Sequence, residues 1–122
     1  MAKETKIYQG LLSAQPYGDA EDILFLSGIE DPLCERLHEE ISGKNVTARY
    51  WVTEKEATKD QASASFLTEI MGVVDSEFGA RYSEITGYLW TDEELRIGGH
   101  DLIVELSSYI GKWVILEIDI HE

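Results

Sequence analysis

A chain of 122 residues with 24 acidic and 10 basic side chains has a formal charge of -14, so its surface repels phosphate backbones and anionic lipid and argues against direct contact with nucleic acid or membrane. The length suits a single domain over residues 1–122 with one core, and the lone cysteine, Cys34, excludes an internal disulfide and points to a reducing, cytoplasmic setting. No apolar run approaches the roughly 18 residues of a membrane span, and the first six residues lack the apolar centre of a signal peptide.

Residues 6–14 read as a strand, and a loop of turn formers, Gln15-Pro16-Tyr17-Gly18-Asp19, leads to a second strand at about 22–27. Asp31-Pro32 supplies an N-cap and a first-turn proline. Leu33, Leu37 and Ile41 then form the apolar stripe of a helix that stops at Gly43, with Lys44 beside the negative end of the helix dipole. Over 46–52 the period changes to two, with Val46, Ala48, Tyr50 and Val52 on one face and Thr47, Arg49 and Trp51 on the other. Thr58-x-x-Gln61 is a capping box, which with Ala62, Phe66, Ile70 and Gly72 predicts a helix over 58–72. Residues 81–90 read as a strand, 91–94 as a tight turn, 95–97 as a short strand and 101–109 as a short helix. The last strand alternates Val114, Leu116, Ile118 and Ile120 with Glu117 and Asp119.

Two stretches share a pattern. Gly10-Leu11-Leu12, Leu24, the triple Leu33, Leu37, Ile41 and Gly43-Lys44 are answered by Gly87-Tyr88-Leu89, Leu95, the triple Leu102, Leu106, Ile110 and Gly111-Lys112. An internal repeat of 6–53 in 81–121, joined by the helix at 58–72, follows as an expectation. The expected fold is α+β: ββαβ-α-ββαβ in a six-stranded curled sheet or half-open barrel, with three helices.

No catalytic motif and no metal site emerges. Gly43-Lys44 and Gly111-Lys112 lack the upstream glycine and following hydroxyl of a phosphate-binding loop. Cys34 and His38 are four apart on a helix, but two ligands do not make a metal site. No cofactor is expected, and the reading leans away from an enzyme. Aromatic residues beside acids are what an interface for a basic partner uses. On that ground Trp51, Trp90, Asp92, Glu93, Glu94, Trp113, Glu117 and Asp119 are assigned to partner binding. Tyr88, Gly99 and His100 are assigned to an alternative ligand pocket between the two repeats.

Residues 1–61 hold twelve acids and seven bases, a net of -5, and residues 62–122 hold twelve and three, a net of -9. The expected function is therefore a small acidic binding or inhibitor protein that engages a basic protein surface, such as that of a nuclease or a nucleic-acid-binding complex. In size and charge it is comparable to immunity proteins and phage-encoded antagonists, with nucleic-acid mimicry confined to part of the surface. The alternatives are a ligand-binding or catalytic barrel and a homo-oligomeric module.

Overall fold

The computed structural model describes residues 4–18, 20–87 and 89–121. Seven strands and two short helices follow one another as β1 (Glu4–Tyr17), β2 (Ala20–Leu26), α1 (Leu33–Ile41), β3 (Asn45–Thr53), β4 (Phe66–Tyr82), β5 (Leu89–Ile97), β6 (His100–Asp101), α2 (Leu102–Leu106) and β7 (Trp113–His121). Every pairing is antiparallel, and the order across the sheet is β2-β1-β7-β3-β4-β5-β6. The expectation of an α+β fold with six strands and three helices is thus corrected: over the described residues the chain is predominantly β, with seven strands, two short α-helices and an open sheet that does not close into a barrel.

The largest departure is at 58–72. The capping box forms, with Thr58 N–H donating to Gln61 at 2.9 Å and Gln61 N–H to the Thr58 hydroxyl at 3.2 Å, but it closes a single turn. From Phe66 onward the chain is strand, and the residues expected to join two repeats as a helix are the first part of β4. The segment read as a turn, 91–94, is the middle of β5. The turn lies instead between the two strands, where Gly87 N–H donates to the Ser83 carbonyl at 2.8 Å.

β1 and β4 are long because each serves two neighbours. β1 pairs with β7 through 4–11 and with β2 through 12–17, whereas β4 pairs with β3 through 66–73 and with β5 through 74–82. The backbone crowds where each strand changes partner. At Gly72 (φ 152°) a Cβ would lie 2.6 Å from Gly98 N, and at Gly10 it would lie 2.5 Å from the Ser27 carbonyl oxygen, so only glycine fits. The four strands β1-β7-β3-β4 therefore form a central sheet from which two hairpins bend away.

These parts obey a pseudo-twofold relation. Exchanging β1 with β4, β2 with β5 and β3 with β7 reverses the order of the six strands β2-β1-β7-β3-β4-β5 onto itself, with the two-residue β6 left over, and Arg49 opposite Glu117 marks the axis. Backbone bonds repeat accordingly: Gly43 N–H donates to Val74 O and Gly111 N–H to Leu12 O, while Val74 N–H donates to Lys44 O and Leu12 N–H to Lys112 O, all at 2.8–2.9 Å. In this relation Gly10 corresponds to Gly72, not to Gly87, because the second unit begins at Phe66 and not at residue 81.

The inner face of the sheet carries Leu12, Val46, Ala48, Ile70, Val74, Leu95, Ile97, Leu116 and Ile118, which pack on Leu33, Leu37 and Ile41 of α1 and Leu102 and Leu106 of α2. In a flat sheet β2 and β5 would stand about 24 Å apart, at roughly 4.8 Å per strand. Here they touch, and the Leu24 N–H of β2 donates to the Glu93 carboxylate of β5 at 3.1 Å. On the outer face Trp51 and Ile115 form a smaller cluster with Ala62 of the 54–65 connection. Among the described residues no helix is long and apolar enough to cross a membrane.

Candidate functional site

Strand alternation sorts the assigned residues. At the centre of the outer face, Arg49 binds Glu69 at 2.6 Å, Asp119 at 2.7 Å and Glu117 at 3.2 Å, and Thr5 donates to Asp119 at 2.7 Å. The Arg49 guanidinium, with help from Thr5, holds the Asp119 carboxyl below the usual range. Lys59 descends from the connection onto Glu117 and sits 5.3 Å from the centre of the Trp51 ring. Glu117 and Trp51 are 8% and 7% exposed. Trp51, Glu117 and Asp119 are therefore brought together, but they are satisfied within the chain. Trp51 and Glu117 hold the connection down through Lys59, and Asp119 pairs with Arg49 and Thr5. Sequence reasoning missed the hub, Arg49, although its place on the polar side of the 46–52 alternation was visible.

Trp113 lies at the edge of this region. With Ile7, Gln9, Ala57, Thr58 and Gln61 it lines a groove of about 420 Å³. Its Nε1–H is buried and, among the described residues, stands without an acceptor, a group that costs on the order of 1–3 kcal/mol when left unpaired.

The acidic segment 92–94 behaves differently. In β5, Leu95 and Ile97 point into the core, so Glu93 faces inward while Trp90, Asp92 and Glu94 face outward. Directly across on β4 stand Asp75, Glu77, Gly79 and Arg81, paired in register with Arg96, Glu94, Asp92 and Trp90. The outer face of this hairpin is thus an acidic strip of four carboxylates and two guanidiniums. Trp90 Nε1 donates to Asp92 at 3.0 Å, Arg81 meets Asp92 at 3.1 Å and Glu77 at 3.8 Å, and Arg96 meets Glu94. Both arginines lie to the flanks, and Glu77 and Glu94 face one another directly across the ladder. Opposed like charges destabilise a strand pair, and here each carboxylate is also drawn to a flanking guanidinium, Glu77 to Arg81 and Glu94 to Arg96. Glu77 was missed because a strand register joins residues far apart in sequence.

Inward-facing Glu93 is opposite Phe78 and accepts from Leu24 N–H. Burial, assisted by the nearby charge of Asp101 and opposed by the Leu24 N–H, pushes its carboxyl up to about 6. Cys34 lies close behind. Its thiol donates to the Glu77 and Glu94 carbonyls at 3.6 and 3.5 Å, and burial pushes it up to about 12, so it is an inert core residue. His38 is occupied by the Ser76 hydroxyl at 2.7 Å. Among the described residues no three metal-ligating side chains converge.

Of the residues assigned to a ligand pocket, Tyr88 lies outside the described residues. Gly99 lies in the exposed Gly98-Gly99 turn from β5 to β6, and His100 opens β6 with its Nδ1 3.1 Å from Glu105. Asp101 caps α2 by accepting from the N–H groups of Ile103 and Val104. Comparison of the chain with protein-family models, curated proteins and solved structures finds no match.

Proposed function

We propose that this chain is a non-enzymatic binding protein, of inhibitor type, for a basic protein surface such as a nuclease or a nucleic-acid-handling complex presents, and that the outer face of the β4–β5 hairpin makes the contact. The observation that carries this reading is the opposition of Glu77 and Glu94. A surface strand pair under no other demand places an opposite charge or a neutral residue there, and a local rule broken at the surface marks a place where something other than stability is served. A lysine or arginine from a partner, set between the two carboxylates, would relieve the repulsion and gain two charge-assisted bonds. Carboxylates two residues apart on a strand are spaced about 6.6 Å, the axial rise of about two nucleotides of a DNA strand. Mimicry of nucleic acid is confined to this strip. The reading places the protein in the cytoplasm, in keeping with its single buried thiol.

The test is calorimetric titration of a hexalysine peptide into the wild type, Glu77→Gln and Glu94→Gln at low and at physiological ionic strength. Each substitution is expected to weaken binding severalfold at low salt, and the gap should narrow as salt screens the strip. Equal affinity for all three proteins overturns the assignment of the contact to this face.

A second reading, a small-ligand protein, is favoured by the groove at Trp113, whose volume lies in the range of roughly 300–1,000 Å³ common for ligand sites and whose buried indole N–H lacks an acceptor. A metabolite that raises the melting temperature of the wild type but not of Trp113→Phe is the result it requires.

A further inference from the structure

The two hairpins meet in an aromatic seam. Tyr17, at the end of β1, packs on Phe25 of its own hairpin with ring centres 6.3 Å apart, and on Phe78 of the β4–β5 hairpin with centres 5.9 Å apart in an edge-to-face arrangement. The seam remains open to solvent, for Tyr17 is 40% exposed. Carboxylates border it. The Tyr17 hydroxyl reaches Glu35 of α1 at 3.4 Å, and Glu93 stands across the ladder from Phe78. Arg36, the next residue on α1, is turned to Asp31 at 3.1 Å.

We propose that this seam receives a lysine or arginine side chain of the basic partner, the cation lying against the Tyr17 and Phe78 rings with Glu35 as its counter-ion. The proposal rests on the reading of the chain as a binder of basic surfaces and adds a second point of contact on the inner side of the same hairpin. An aromatic face attracts a cation through its quadrupole, and a neighbouring carboxylate adds direct charge attraction. The molecule already contains one such arrangement: Lys59 lies over the Trp51 ring and binds Glu117. The seam repeats that combination of ring and carboxylate, and the overall charge of -14 favours the arrival of a cation from a partner.

The experiment follows the hexalysine peptide by proton NMR and calorimetry with the wild type, Tyr17→Leu, Phe78→Leu and Glu77→Gln, beside a spermidine titration. In the wild type the lysine ε-methylene protons are expected to move upfield from ring currents. Tyr17→Leu and Phe78→Leu should remove that shift and weaken binding by roughly two- to fivefold each. Tyr17 is exposed, so its leucine variant keeps the fold, and circular dichroism checks Phe78→Leu. An unchanged shift in Tyr17→Leu overturns the seam proposal, even if Glu77→Gln weakens binding and so upholds the outer-face contact. If the seam variants lose affinity while Glu77→Gln does not, the seam stands and the outer-face reading fails. Spermidine binding as tightly as hexalysine, with the same dependence on Tyr17, overturns the assignment to a protein side chain.

Discussion

Glu93 shows how a single position on a strand separates one acid from its neighbours. Asp92 and Glu94 lie on the outer face, half-buried and paired with Arg81 and Arg96, whereas Glu93 is turned toward the core and its carboxyl is raised to about 6. Its ordinary value is 4.5, so between these two values the folded chain holds a proton that the unfolded chain has released. Stability from this group is fully present below about 4.5 and is lost as pH rises through about 6. Glu93→Gln keeps an oxygen for the Leu24 N–H without the charge. It should be more stable than the wild type at pH 7 by about 1 kcal/mol, allowing for the solvent that reaches the site, and equal to it near pH 4. Urea denaturation at the two values checks this, and a variant less stable at pH 7 would refute it. The distinction among the three acids is legible in the sequence only once 91–94 is recognised as strand. Read as a turn, the segment places all three on one surface.

β4 is the element that sequence reasoning misjudged, and the reason is physical. Phe66 and Ile70 are four apart, a spacing that reads as one face of a helix, but a bulge opposite Tyr50 and Trp51 sets Phe66 beside Trp51 on the outer face of the sheet and Ile70 beside Ala48 on the inner one. The capping box at Thr58 is real, but a single turn satisfies it, and pairing with β3 decides the rest. Other signals were local and survived: the Leu33, Leu37, Ile41 stripe, the glycine-lysine pairs and the alternation of the last strand all stand where the sequence places them. The contact that seats β5 against β4 leads to a prediction. A Cβ on Gly98 (φ 55°) would lie 2.2 Å from the Met71 carbonyl oxygen, and backbone on both sides leaves no room to yield. Gly98→Ala should therefore destabilise the protein by about 2–3 kcal/mol in a denaturant melt. Gly18→Ala, where nothing lies within 4 Å, should cost less, about 1 kcal/mol from its left-handed backbone alone.

Across the whole molecule, pseudo-twofold construction and uneven charge are in tension, and that tension locates the function proposed here. The units share strand order and backbone bonding about the Arg49–Glu117 pair. Their surfaces differ. The half that contains β4 and β5 has a net charge of -9 against -5 for the other, and on the outer face of its hairpin two carboxylates are set against one another. Composition made the acidity visible at once, but its distribution depends on register, which no local pattern of residues specifies. The central claim is that this opposition is retained for a cationic partner at the expense of stability. Thermal melts of Glu77→Gln, with and without hexalysine, test it most directly. The account predicts that the free variant melts above the wild type by roughly 1–5 °C and that the peptide raises its melting temperature less than it raises that of the wild type. A variant that melts lower than the wild type and gains as much from the peptide would contradict it.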